Sequence, residues 1–318
     1  MPVISSLDKA RRQQAVQRSM ADRVRRVGQF VLRKLAQKRA ELARTHAAPA
    51  PLVVGVNGPQ GSGKTTLAHG LAAYLRTHHV GAHAFSLDDV YLRNAEQQRL
   101  AERTQNPLLR FRGQPGTHDV ALARATLESL LGSAQATAVP AFDKSLCGGR
   151  GDRLPPGQWA AVPPVDVVLL EGWCLGFRSL DACEFARFLA NTHAHSSLCK
   201  YSGAYADEHL AQVNANLREY EAGLYPLVDS WVWLRAADLD VVFRWRKDQE
   251  DERAAQGRAV LSDQQLEDFV SRFMPGYEMA LPKLDSYGFI VSGLVPDHHT
   301  LRVHLDLDRN VVAIDHHL

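Results

Sequence analysis

Residues 58–65 read GPQGSGKT, a match to GxxxxGK[ST], placed between the β-branched run PLVVGV (51–56) and a helical pattern from about Thr65 to Arg76. No other stretch constrains the fold as tightly. A strand, a glycine-rich turn and a helix in that order bring successive backbone N–H groups together as an anion nest. Side chains at Gly58, Gly61 and Gly63 would obstruct that nest, and the helix beginning at Thr65 adds its positive dipole end. The whole stretch, with Pro59, Gln60, Ser62 and the following Thr66, is expected to wrap the phosphates of a nucleoside triphosphate. Lys64 reaches the β- and γ-phosphates, and the Thr65 hydroxyl is placed to ligate magnesium.

Short apolar runs alternate with helical patterns along the rest of the chain. Strands are expected at VGAHAFSL (80–87), ATAVPAF (136–142), VDVVLL (165–170) and SWVWLRA (230–236). Helices are expected at about 119–131, 205–221, 238–256 and 262–273, and a hairpin around Asp308-Arg309-Asn310. This is the pattern of an α/β fold, a mostly parallel, doubly wound sheet with helices on both faces. Residues 143–164 are a long Gly- and Pro-rich loop, which in a compact domain is usually functional.

The net charge of +2 hides an asymmetry: residues 1–45 carry 12 Lys and Arg against Asp8, Asp22 and Glu41, or +9, leaving −7 for the remainder. Val16, Met20, Val24, Val27, Val31 and Leu35 recur at helical spacing through this segment. We read an amphipathic helix (8–44) laid on the main domain with a solvated basic face. Contact with nucleic acid or an anionic membrane lacks supporting aromatics or a second basic patch. HAAPAPL (46–52) reads as a linker, dividing a basic helical extension (1–50) from a catalytic domain (51–318). Four cysteines without a CxxC pair, and no secretory or membrane-spanning pattern, suit a cytoplasmic protein. His193, His195 and Cys199 have loosely metal-like spacing but no fourth ligand, and read as a polar loop.

Two acidic features complete the candidate site. VVLLEG ends in Glu171, at the C-terminal end of a buried strand, where a carboxylate can orient a magnesium-bound water beside the phosphate loop. SLDDVYL (86–92) places Asp88 and Asp89 at the corresponding rim of the second strand. Strand alternation would send these neighbours to opposite sides, so only one should face a transferred phosphoryl group. No NKxD or LSGGQ-like motif is present, which weakens a GTPase switch or a transporter-type ATPase.

The layout resembles the P-loop kinases of small molecules that include pantothenate kinase, uridine kinase and phosphoribulokinase, with Asp88-Asp89-Val90-Tyr91 fitting their shared mark. Within that group it is most similar to the D-glycerate 3-kinase family. The likeness rests on SLDDVYL, NPLLRFRGQPGTHD (106–119), FDKSLCGGRGDR (142–153), LLEGWCLGF (169–177), VNANLREYE (213–221), WRKDQE (245–250) and FVSRFMPGY (269–277). RGQPGTHD departs from the plant form, which is expected to lack Pro115. Residues 1–45 lie outside the resemblance.

The resemblance implies a P-loop NTPase fold and transfer of the γ-phosphoryl of ATP to D-glycerate, giving 3-phosphoglycerate, with Mg2+ as cofactor. It implies that Asp88 accepts the hydroxyl proton and that Arg244 and Arg246 close over the triphosphate as a lid. A plain salt-bridged helix reads equally well there. Glycerate, a small carboxylate with two hydroxyls, needs a cation and hydroxyl partners. Arg112, His118, Lys144, Arg150 and Arg153 are candidate cations; Asp119 and Asp143 are candidate hydroxyl partners, with Tyr91 beside the base. Asp89 is left with a water-mediated metal contact or a cap on the segment beginning at Tyr91. A kinase of another small hydroxy acid, polyol, pantothenate or nucleoside is the alternative within this fold. An ATP-binding regulatory or nucleic-acid-associated protein is the alternative of another class.

Overall fold

Leu52, Val54 and Val56 project to one face of their strand and Val53 to the other, and all four are buried. A strand covered on both faces belongs in the middle of a sheet, and this one does. The structure, a computed structural model, describes residues 6–195, 197–257, 260–287 and 299–316.

In chain order the strands are β1 (Leu52–Asn57), β2 (Ala82–Ser86), β3 (Thr137–Val139), β4 (Phe142–Asp143), β5 (Asp152–Arg153), β6 (Ala160–Val162), β7 (Val167–Gly172), β8 (Ser230–Ala236), β9 (Thr300–Leu305) and β10 (Val311–His316). The helices are α1 (Ser6–Arg44), α2 (Lys64–Thr77), α3 (Asn94–Thr104), α4 (Val120–Gly132), α5 (Ala182–His193), α6 (Asp207–Gly223), α7 (Val241–Ala255), α8 (Asp263–Ser271) and α9 (Met274–Tyr287). The main sheet has the order β10-β9-β8-β1-β7-β2. Its pairs are parallel except β9 with β10, which form the expected hairpin across a turn at Asp306–Asn310. The parallel arrangement sends the C-terminal ends of β1, β2 and β7 to one rim, and the candidate site is built there.

The 136–142 segment is a correction. Its β3 joins no main-sheet strand and pairs antiparallel with β6, while β4 pairs with β5 in a second ribbon. Pro140 separates the two short strands, and the loop read as irregular is framed by these ribbons. Gly151 turns the β4–β5 loop with a φ of 76°, and a Cβ there would meet the Phe142 ring at 2.2 Å.

One face of the sheet carries α2 with α1 against it; Val27, Phe30, Val31 and Leu35 of α1 are buried among Leu67, Leu71 and the sheet. The opposite face is covered by α4, α6, α8 and α9 around Trp173, Tyr220, Trp231, Phe273 and Tyr277. The basic face of α1 is only partly solvated. Arg23 and Lys34 are buried, at 1% and 7% exposure. Lys38 bonds the Pro51 carbonyl and Asp229 at 2.7 Å each, and Arg39 pairs with Asp166. His193 is paired with Asp207 at 2.9 Å.

Candidate active site

The phosphate loop leaves β1 at Gly58 and enters α2 at Lys64. Gly61 and Gly63 have φ values of 79° and 86°, a left-handed backbone that side chains resist. Gly61 is also needed for space, since a Cβ there would lie 2.5 Å from Cβ of Trp245. Pro59 offers its carbonyl to Lys64 Nζ at 3.1 Å, and the Gln60 amide donates to the Tyr277 hydroxyl at 3.1 Å. That hydroxyl donates in turn to Gln60 Oε1 at 2.7 Å. Lys64 is buried, and burial lowers its pKa against the opposing pull of Glu171 and Asp88. Thr66 is exposed on the first turn of α2.

Glu171 ends β7 in register with Ser86 of β2 and Val56 of β1. Its Oε1 accepts hydrogen bonds from Thr65 Oγ1 at 2.9 Å and Ser86 Oγ at 2.8 Å. The P-loop threonine and the strand-end glutamate therefore meet directly, through three side-chain oxygens. Ser86 was not singled out in the sequence, although its position opposite Glu171 follows from parallel pairing of the two strands.

Asp88 and Asp89 both line one cleft of about 280 Å³, with Thr65, His69, Ser86, Phe142, Lys144 and Glu171. The expected alternation fails because β2 stops at Ser86. Leu87–Val90 is a 3-10 turn, in which neighbours are not turned half a revolution apart. Among the described residues no bond from Asp89 to the first turn of α3 accompanies the cap reading: α3 begins after Arg93, whose N–H donates to Glu96 Oε2 at 2.9 Å. Burial pushes the Asp89 carboxyl up to about 6, against backbone hydrogen bonds from Phe142 and Ser86.

Asp88 Oδ2 is 2.6 Å from Lys144 Nζ, a contact that ties the turn after β2 to the β4–β5 loop. Burial raises the Asp88 pKa, but Lys144, His118 and a hydrogen bond from Tyr91 more than offset it and hold the carboxyl at about 2. Tyr91 is buried, stacked on His118 at 4.4 Å and edge-on to Phe142 at 5.4 Å. His118 is fixed in turn by the Tyr220 hydroxyl, 2.6 Å from Nδ1. The sequence placed Tyr91 in the substrate site and offered His118 as a candidate cation; the two form a wall behind Asp88, and burial lowers the His118 pKa to about 4, which leaves it uncharged at neutral pH. Tyr220, inside VNANLREYE, carries no local sign of that role.

The remaining loop residues separate into free and committed groups. Arg112 is a clamp: Nη1 donates to the Gly149 carbonyl at 3.1 Å and to that of Arg150, with the guanidinium 5.6 Å over Phe142. Arg150 is exposed. Arg153 is buried and paired with Asp119 at 3.0 Å, while Asp119 also caps α4 through the Leu122 amide at 2.9 Å. Asp143 accepts from the amide and hydroxyl of Ser145 at 2.8 and 2.6 Å. Arg244 pairs with Asp308 at 2.6 Å, and Arg246 pairs with Glu250 at 2.9 Å under Phe269. It is Trp245, between them, that packs on the phosphate loop.

This geometry has counterparts. The solved structure of a D-glycerate 3-kinase from Cryptococcus neoformans var. grubii matches with a TM-score of 0.82 at 33% identity, over 92% of this chain and 98% of that one. The chain belongs to the D-glycerate 3-kinase family. A chloroplastic D-glycerate 3-kinase of Arabidopsis thaliana is 36% identical over 267 residues, which is 82% of this chain and 54% of that longer protein. An uncharacterized kinase of Schizosaccharomyces pombe is 35% identical over 268 residues, 83% of this chain and 91% of its own length. No family model matches the chain. Membership of the D-glycerate 3-kinase family makes the protein a P-loop kinase, and the 92% coverage extends the likeness into the first 45 residues.

Proposed function

We propose that the protein transfers the γ-phosphoryl group of ATP to a hydroxyl of D-glycerate, giving 3-phosphoglycerate. The observation that carries this reading is the single cleft in which the Thr65–Glu171–Ser86 oxygens lie beside the Asp88–Lys144 pair. One side suits a metal–triphosphate complex; the other suits a small anion bearing a hydroxyl.

The nest at 58–65 and Lys64 hold the β- and γ-phosphates, Lys64 exchanging the Pro59 carbonyl for phosphate oxygens. Thr65, Glu171 and Ser86 present hard oxygen donors, the type magnesium takes. Among the described residues no group of three or more His, Cys, Asp or Glu is arranged to hold a metal. Thr65 and, through water, Glu171 would hold Mg2+, whose charge offsets that gathering on the transferred group.

Lys144 takes the glycerate carboxylate, with exposed Arg150 available from the same loop. Arg112, Arg153 and Asp119 shape that loop, and Tyr91 and His118 position Asp88. A carboxylate held at about 2 is a weak base toward a free alcohol. Two things help it. The incoming substrate carboxylate draws on Lys144 and so raises the basicity of Asp88. The hydroxyl also becomes acidic as its oxygen bonds to phosphorus and the bond to ADP breaks, so the proton passes to Asp88 late. Arg244 and Arg246 act as lid residues only after leaving Asp308 and Glu250. The division into an extension (1–50) and a kinase domain (51–318) belongs to the same reading.

A cytoplasmic setting is supported by four unpaired cysteines, Cys147 and Cys183 of them exposed. Among the described residues no helix is long and apolar enough to cross a membrane. ADP release measured with D-glycerate, L-glycerate, other hydroxy acids, polyols, pantothenate and nucleosides tests the assignment. Turnover greatest with D-glycerate supports it, and preference for any other acceptor rejects it.

A further inference from the structure

Behind the phosphate loop stand two arginines that belong to no part of the motif. Arg23, on α1, is 1% exposed; its Nη1 donates to the Ser62 carbonyl at 3.0 Å and its Nη2 to the carbonyl of Arg309. Arg309, in the β9–β10 turn, donates Nε to the Gly61 carbonyl at 2.7 Å and Nη2 to the Trp245 carbonyl at 3.1 Å. Its Nη1 pairs with Asp248 at 3.0 Å, and its guanidinium lies 5.3 Å from the Trp245 ring. Residues from the first helix and the last hairpin, 286 positions apart, thus converge on two consecutive peptide groups of the loop.

We propose that Arg23, seconded by Arg309, is a positioning residue for nucleotide phosphate. This rests on the reading that the nucleotide occupies residues 58–65. The peptide group that carries the Ser62 carbonyl also carries the Gly63 N–H, the donor Arg23 would aim. The Gly61 carbonyl shares its peptide with the Ser62 N–H, which bonds the Pro59 carbonyl at 3.2 Å, so Arg309 braces the turn beside that donor. Carbonyl and N–H point opposite ways across a trans peptide, so pinning the Ser62 carbonyl outward aims the Gly63 amide inward. A cation on a carbonyl also polarises its peptide and strengthens the N–H as a donor.

The charge of Arg23 is out of proportion to a packing role. Val27, Phe30, Val31 and Leu35 already dock α1, and both bonds made by Arg23 go to neutral carbonyls. Its pKa is lowered to about 10 by burial and by Arg309, with Asp306 opposing, so it stays charged at neutral pH. Burying a guanidinium that, among the described residues, bonds no carboxylate is costly. A polyphosphate on the far side of the loop relieves that cost, which links the charge to the nucleotide. The basic segment 1–45 thereby gains a task inside the site.

The test is binding of ATP and of adenosine to the full chain, with steady-state kinetics, for wild type, Arg23→Met, Arg23→Lys and Arg309→Met. Arg23→Met is expected to raise Kd and KM for ATP about tenfold or more, the usual scale for a lost charged hydrogen bond. Adenosine affinity and acceptor KM should not move, and Arg23→Lys should lie nearer wild type. If Arg23→Met does not fold, Arg309→Met, whose change lies in a surface turn, is expected to show the same ATP-selective loss. Unchanged ATP affinity in a folded variant, or equal loss for ATP and adenosine, overturns the proposal alone. A wild-type chain that binds no ATP overturns the nucleotide reading and this proposal together.

Discussion

Lys144 Nζ and Asp88 Oδ2 are 2.6 Å apart, so the residue expected to bind the substrate carboxylate and the residue expected to take its proton form one ionic unit before substrate arrives. A pair this open to solvent contributes at most about 1 kcal/mol to folding. Its larger effect is on Asp88 itself. With Lys144→Met, burial would lose its largest offset, His118 and Tyr91 remaining, and the carboxyl would rise from its value of about 2. The acid limb of the kcat/KM profile should move to higher pH by about one unit or more, with a raised acceptor KM. An acid limb identical to wild type would show that Lys144 does not set the charge of Asp88.

Asp88→Asn keeps the shape of the turn and removes the proton acceptor. Turnover should fall by roughly 10²–10⁴-fold. The Kd for ATP should stay within about twofold, because the contacts of Asp88 lie on the acceptor side, with Lys144 and Tyr91. A variant with wild-type kcat would remove Asp88 from this role.

Glu171 accepts from both Thr65 and Ser86 through Oε1, which leaves Oε2, among the described residues, available for metal-bound water. Glu171→Gln should raise the magnesium concentration needed for half-maximal rate about tenfold, in line with lost outer-shell metal contacts. Ser86→Ala should give a smaller shift in the same direction. A magnesium titration that neither substitution alters would place the metal elsewhere.

His118 predicts how stability depends on pH. It is 4% exposed, and burial lowers its pKa from 6.5 to about 4, Asp88 opposing. Between those values the unfolded chain holds a proton that the folded chain refuses. Its contribution is therefore complete above pH 6.5 and is lost as pH falls toward 4, about 3 kcal/mol in all. Urea midpoints at pH 7.5 and 4.5 should fall less for His118→Gln than for wild type. Equal falls would mean that His118 is already protonated in the fold.

The parts of the site legible in the sequence are those whose chemistry is local. Three glycines before a lysine and threonine demand a nest, and an uncharged β-branched run ending in Glu171 demands a buried strand with a carboxylate at its rim. Asp88 and Asp89 were harder, because alternation holds only while the strand lasts and β2 ends two residues earlier. The Arg153–Asp119 and Arg112–Gly149 contacts depend on how two loops meet, which no spacing within either loop reveals. Helix α3 buries only Gln97 and so shows no apolar stripe, while in α9 Pro282 interrupts a stripe that Met274, Tyr277, Leu281 and Leu284 form. Arg23 did leave a trace. It lies three residues after Met20 and four before Val27, on the apolar side of α1, where an arginine needs a reason to be.

Phosphate is expected to pass to the 3-hydroxyl of D-glycerate, with Asp88 taking its proton. It is tested most directly by phosphorus NMR of the products from ATP, Mg2+ and D-glycerate, with wild type and Asp88→Asn side by side. 3-Phosphoglycerate and ADP are expected in equal amounts from wild type, and almost none from the variant. Formation of 2-phosphoglycerate, or ADP without a phosphorylated acid, would contradict it.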